Sequence, residues 1–109
     1  MTAESRPLVT DLAALESTSR PDGYEEFLRV PAMSMGMFTA SAGYHDTQQP
    51  HAEDEVYIVV SGKAVLEIDG VDHPVRAGSI AYVPMRVPHH FHDISSDLRV
   101  LVVFAPAET

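Results

Sequence analysis

The densest alternation of apolar and polar positions lies between Glu55 and Phe104. VYIVV (56–60) gives way to Ser61-Gly62, then KAVLEI (63–68), then Asp69-Gly70. After Ala77-Gly78 come SIAYV (79–83), a loop bracketed by Pro84 and Pro88, His89 to Ile94, and LRVLVVF (98–104). Asp-Gly between two apolar runs predicts a hairpin with a two-residue turn. Upstream, MSMGMFTAS (33–41) reads as a strand with Met33, Met35 and Met37 on one face by the two-residue period. YEEFLRV (24–30), closed by Pro31, reads as an edge strand or a wrap around the sheet. Gly43 opens a polar loop that runs to Pro50. Leu8, Leu12 and Leu15 around Asp11 provide one or two helical turns, ended by Ser17-Thr18-Ser19 and Pro21. Short strands at a spacing of roughly 8–12 residues, with no long helix between them, predict an all-β sandwich or barrel. The expected organisation is a partly ordered lead-in over residues 1–22 and one barrel domain over residues 23–109, ending in the polar tail APAET.

Length and charge narrow the function. A chain of 109 residues holds one compact domain, so any site is built from a single fold. Seven Lys+Arg against 16 Asp+Glu give a formal charge of −9, which repels phosphate backbones and anionic bilayers. No nucleic-acid or membrane partner is expected. The chain has no cysteine, which excludes disulfides, thiolate metal sites and cysteine nucleophiles, so a metal must be held by nitrogen and oxygen. The start MTAESRPLVTDL lacks a basic then apolar leader, and no run approaches the ~20 apolar residues that span a bilayer, so a cytoplasmic location is expected.

The candidate chemistry lies around Pro50. Gln49, His51 and Glu55 share parity, so in an extended segment all three point to the sheet face that becomes the barrel interior. An inward imidazole beside an inward carboxylate means a buried ion pair or a metal. His89, after the Pro84–Pro88 loop, can approach from a neighbouring strand. His45, His73 and Glu53 fall in or beside loops and read as solvated, while His90 and His92 alternate outward from His89.

These residues carry a specific resemblance. Gly43, Gln49, His51, Glu55 and Gly62 reproduce the spacing of the first cupin motif: glycine, five residues, His-x-His, three or four residues, Glu, six residues, glycine. Gly78, Pro84, Arg86, His89 and Asp93 are similar to the second: glycine, five residues, Pro-x-Gly, two residues, His, three residues, Asn. The chain thus resembles the small single-domain bacterial cupins, which implies a cupin (double-stranded β-helix, jelly-roll) barrel. It departs from the motifs at Gln49 for histidine, Arg86 for glycine and Asp93 for asparagine. The Gln-x-His, Glu, His set also resembles the zinc-binding residues of the type I phosphomannose isomerases.

The resemblance implies one divalent transition metal (Zn, Fe, Mn, Co or Ni) with Gln49, His51, Glu55 and His89 as ligands and Glu55 as a catalytic base. Imidazole, carboxylate and amide donors suit those ions better than the all-oxygen cages of Ca or Mg. Tyr57 and Phe91 share parity with Glu55 and His89 and are candidates for the substrate pocket. So are Met35 and Met37, as adaptable thioethers at a barrel mouth, and Arg86, which either caps its loop or binds an anionic group. The implied activity is that of a metalloenzyme on a small oxygen-chelating molecule, of dioxygenase, isomerase, cyclase or lyase type. The alternative is a non-catalytic barrel that binds or senses a small molecule. A homodimer is expected, because a barrel this small leaves strand edges for a second copy to cover.

Overall fold

The computed structural model describes residues 6–18 and 21–109. The first five residues of the lead-in, and Ser19 in the expected helix stop, lie outside them. The described elements are α1 (Leu12–Thr18), β1 (Gly23–Val30), β2 (Met33–Ala40), β3 (Asp54–Ile68), β4 (Val71–Arg76), β5 (Ile80–Val83) and β6 (His89–Ala105). Asp11 caps α1, its Oδ1 accepting from the Ala14 amide at 2.8 Å. The strands form one antiparallel sheet in the order β1-β2-β6-β3-β4, with β5 on β3. Asp69 (φ 50°) and Gly70 (φ 80°) both take left-handed backbone at the β3–β4 turn, the geometry of the hairpin that Asp-Gly predicts.

Two stretches that read as interruptions are not strand ends. Ser61-Gly62 lies inside β3, and Ser95–Asp97 lies inside β6. Each is where the inward face changes parity. On β3 the buried set passes from Glu55, Tyr57 and Val59 to Ala64 and Leu66. On β6 it passes from His89 and Phe91 to Ile94, Leu98, Val100, Val102 and Phe104. Register shifts between Val59 and Val65 accompany the first change, and left-handed Asp93 (φ 48°) marks the second.

These bends close the fold. Glu55 pairs with Phe104 at one end of the β3–β6 ladder, and Ile68 pairs with His89 at the other. A straight strand would separate Glu55 from Ile68 by about 43 Å, at about 3.3 Å per residue. Yet His89, the partner of Ile68, touches Glu55 at 2.9 Å. The ribbon therefore curls back on itself into the jelly-roll barrel, and its two ends meet. The enclosed core is apolar, with Phe91 stacked on Phe38 at 5.8 Å between centroids and Leu66, Leu98 and Val100 almost fully buried.

The methionines lie elsewhere than expected. Directly paired residues share a sheet face. Met35 and Met37 pair with Val103 and Leu101, while the inward Val102 and Phe104 face Gly36 and Ser34. Met35 and Met37 therefore belong to the outer face of the sheet and do not line the cavity, a correction of their expected pocket role. Met35 lines a groove with Leu8, Leu12 and Leu15 of the lead-in, which explains its partial burial. Met37 is buried but stands outside the main core cluster.

Gly62 should be the most sensitive glycine in the bend. At φ 96°, a methyl group there would overlap the Asp97 carbonyl oxygen and crowd Leu98 Cα. Gly62→Ala should lower unfolding stability by about 1–3 kcal/mol, read by urea denaturation. An unchanged midpoint would mean that the bend tolerates a side chain.

Candidate metal centre

The meeting point of the ribbon ends is polar. Glu55 enters from the first residues of β3, His89 from the first of β6, and His51 from the loop before β3. One donor atom from each lies within 4.8 Å of the other two. The side chains of Glu55 and His89 are each 1 % exposed, and His51 is half-buried. The His51 and His89 ring centroids stand 5.7 Å apart.

The hydrogen-bond pattern around His89 decides what fits. Its Nδ1 lies 2.8 Å from the Val87 carbonyl oxygen, which can only accept, so Nδ1 carries the proton. In the neutral ring, Nε2 is then a lone pair. It faces Glu55 Oε1 at 2.9 Å without hydrogen-bond geometry, and neither Nε2 nor Glu55 Oε2 has a hydrogen-bond partner among the described residues. Two buried lone pairs this close repel, and unpaired buried polar atoms cost about 1–3 kcal/mol each. A cation at this point, proton or metal, resolves the conflict. Burial pulls the His89 imidazole down, but the Glu55 carboxylate and the Val87 carbonyl outweigh it, leaving it above the usual histidine range. The residues present therefore fit a borderline metal with two nitrogen donors and one oxygen donor.

Gln49 is not brought to this cluster. It is exposed, and the neighbouring Gln48 turns inward instead. β3 begins only at Asp54, so the two-residue parity of an extended strand does not reach back through Pro50 to Gln49. Asp46 sets this register. Its Oδ2 accepts from the buried Phe91 amide at 2.8 Å and from Gln48 Nε2 at 2.6 Å, and Gln48 Oε1 then accepts from the Tyr57 hydroxyl at 3.1 Å. Burial, followed by the charge of Glu55, pushes the Tyr57 phenol well up, so it stays neutral.

A cavity of about 230 Å³ opens over the cluster, lined by Gln48, His51, Glu55 and Tyr57 among others. Phe91 packs against Tyr57 in the core with the ring planes tilted by 45° and the centroids 5.2 Å apart, and is not part of the lining. Arg86 is exposed and away from the cavity, which corrects its expected role as an anion-binding pocket residue. Its backbone takes φ 63°, and its amide donates to the His51 carbonyl at 2.7 Å, tying the loop before β6 to the His51 segment.

Sequence reasoning missed four residues here. Asp46 is buried in a loop read only as polar, and Tyr24 comes from an edge strand. Glu53, expected to be solvated, is 3 % exposed. Glu108, from the tail, lines the cavity 3.2 Å from His51. Burial raises the Glu108 carboxyl above its ordinary value, and the acidic groups around it add to this against the opposing effect of His51. Tyr24 presents a buried hydroxyl with no hydrogen-bond partner among the described residues. None of the four has a local sequence signal that marks it as inward.

Residues 36–104 match the cupin domain. The chain belongs to the cupin family. Over 94 residues it is 49 % identical to protein SCO3923 of Streptomyces coelicolor, a match covering 86 % of this chain and 90 % of that one. It is 31 % identical over 75 residues to the dimethylsulfoniopropionate lyase DddW of Ruegeria pomeroyi, covering 69 % of this chain and about half (49 %) of the lyase. Among solved structures, TT1209 from Thermus thermophilus superposes with a TM-score of 0.74 at 21 % identity, covering 91 % of this cupin and 97 % of that chain. KdgF from Halomonas sp. follows the same fold, with a TM-score of 0.69 at 20 % identity and 76 % of each chain covered. No helix among the described residues is long and apolar enough to cross a membrane.

Outside the barrel, His92 Nε2 meets Asp72 Oδ1 at 2.9 Å, with Glu67 nearby. The hydrogen bond to Asp72 raises the His92 pKa against a smaller opposing effect of burial, with Asp72, Asp93 and Glu67 charges adding to it. Because the folded value is the higher one, the pair stabilises the fold below the unfolded histidine pKa. That contribution disappears as pH rises through the folded value. In an NMR titration His92 should therefore titrate above the ordinary histidine value, and Asp72→Asn should bring it down. Inside, Asp46→Ala strands the Phe91 amide and should destabilise the fold by about 1–3 kcal/mol in urea melts.

Proposed function

We propose that this cupin is a metalloenzyme that holds one divalent transition ion with His51, Glu55 and His89. Its substrate is a small oxygen-bearing organic molecule, and its chemistry is proton transfer of the lyase or isomerase type. The observation that carries the reading is that donor atoms of His51, Glu55 and His89 converge within 4.8 Å in the barrel interior, with His89 Nε2 and Glu55 Oε2 lacking a hydrogen-bond partner among the described residues. The ion, when bound, polarises a substrate oxygen as a Lewis acid.

The chain's own groups supply the rest. Glu55 Oε2, without a hydrogen-bond partner among the described residues, is placed to accept a proton from a substrate carbon beside a carbonyl or carboxylate, the C–H electron pair moving toward that group's oxygen. The Tyr24 hydroxyl, buried at the cavity and without a partner among the described residues, donates to the substrate. Tyr57 stays neutral and, through Gln48, keeps the wall in register. Phe38, Val102 and Phe104 exclude water. A cavity of about 230 Å³ lies below the ~300–1,000 Å³ typical of drug-sized ligands, so the substrate is compact. A relative named as a lyase supports non-redox chemistry.

We also infer a homodimer. β5 pairs with β3 alone among the described strands and exposes Ile80 (74 %) and Tyr82 (59 %). Light scattering should give twice the 11.9 kDa chain mass. A chain mass that stays single at every concentration would rule the dimer out.

The direct test begins with elemental analysis of the purified protein. About one equivalent of metal per chain is expected, lost in His89→Ala and Glu55→Ala and retained in Gln49→Ala. The loaded protein is then offered small carboxylates and hydroxy or keto acids, dimethylsulfoniopropionate included, with an oxygen electrode in parallel. Metal-dependent product without oxygen uptake supports the reading. Stoichiometric oxygen consumption would replace it with a dioxygenase, and tight binding without product would replace it with a sensor barrel.

A further inference from the structure

The tail beyond the stretch matched by the cupin domain is fastened so that Glu108 lines the cavity. Arg29 Nη2 donates to the Glu108 carbonyl at 2.6 Å, and the Glu108 amide donates to Ser34 Oγ at 2.9 Å. The Thr109 amide and hydroxyl donate to the buried Glu53 Oε2 at 3.1 and 2.9 Å. These anchors lie on β1, on β2 and on the loop before β3. They hold the main chain on both sides of the Glu108 side chain, whose Oε2 stands 3.2 Å from His51 Nδ1.

We propose that Glu108 is a positioning residue for the metal centre, an inference that rests on His51 acting as a ligand. A carboxylate facing Nδ1 keeps that nitrogen protonated, leaves the Nε2 lone pair for the ion and fixes the ring plane. His89 is held in the same sense by the Val87 carbonyl at its own Nδ1. Both imidazoles are thereby set to offer Nε2, one through a main-chain acceptor and one through a tail carboxylate. Glu108 is not part of the group of mutually close donor atoms formed by His51, Glu55 and His89, so it orients the ligand from outside that group.

The test compares the full chain with Glu108→Ala and Glu108→Gln. The readouts are ¹⁵N-histidine NMR of the metal-free proteins, zinc affinity by chelator competition, and Co(II) absorption at saturation. In the wild type the His51 proton should sit on Nδ1. In Glu108→Ala the tautomers should mix and zinc affinity should fall about 10–100-fold, with the saturated Co(II) spectrum unchanged. Glu108→Gln, whose amide oxygen still accepts, should fall between the two. If Glu108→Ala melts early without metal, Glu53→Gln replaces it. That variant loosens Thr109 only and should move tautomer and affinity the same way by less. Equal affinity and an unchanged tautomer in Glu108→Ala would overturn the proposal, and so would an altered saturated Co(II) spectrum, which would make Glu108 a ligand. A wild type that takes up no zinc or cobalt would overturn the metal reading itself, a result distinct from a wild type that binds and a variant that binds equally.

Discussion

Everything in this protein depends on the antiparallel pairing of β3 with β6 and on the fact that this ribbon is bent. Pairing alone fixes which residues face inward along each half. The bends at Ser61-Gly62 and around Asp93–Asp97 bring Glu55 and His89, from opposite ends of the ladder, to 2.9 Å. A flat ribbon with the same hydrogen bonds would keep them tens of ångströms apart. The glycine that closes the first motif and the aspartate that closes the second sit at these bends. Their motif positions are thus positions of backbone geometry, filled by residues that tolerate φ values of 96° and 48°.

Curvature then creates an electrostatic conflict where the two ends of the ribbon meet. The barrel interior is apolar, yet the His89 imidazole and the Glu55 carboxylate face each other in it at 2.9 Å, and neither His89 Nε2 nor Glu55 Oε2 has a hydrogen-bond partner among the described residues. Such an arrangement persists only where packing over-determines it, and here Val87, Asp46 and the β3–β6 ladder do so. The conflict is what a cation would relieve. Around it the wall is built from loops and the tail: Asp46 sets Gln48, Gln48 receives Tyr57, and the tail carries Glu108 to His51.

The departures from the cupin motifs have separate outcomes. Arg86 accepts the left-handed backbone that glycine would take more cheaply, and its side chain stays in solvent while its amide holds the His51 segment. Asp93 does the same at the β6 bend. Gln49 is exposed and does not line the cavity, and the grouped imidazole and carboxylate donors are His51, Glu55 and His89, with the tail carboxylate behind one of them.

The order of residues was enough to place the strand-forming runs, the Asp69-Gly70 hairpin, the cupin motifs and the inward parity of Glu55 with Tyr57 and of His89 with Phe91, though not the continuity of β3 and β6 through their bends. All of these are local: period-two alternation, turn chemistry and fixed spacing are written within a few residues of one another. That Gln48 and not Gln49 turns inward came only with the folded chain, because side-chain direction in a non-extended loop is set by Asp46 reaching the Phe91 amide, 45 residues away. The outward turn of Met35 and Met37 is of the same kind, since the face of β2 is chosen by the strand that pairs with it. The burial of Glu53 and the arrival of Glu108 at His51 are also tertiary, for a polar tail carries no period. Its position comes from hydrogen bonds to Arg29, Ser34 and Glu53, groups that become neighbours only when the barrel has closed.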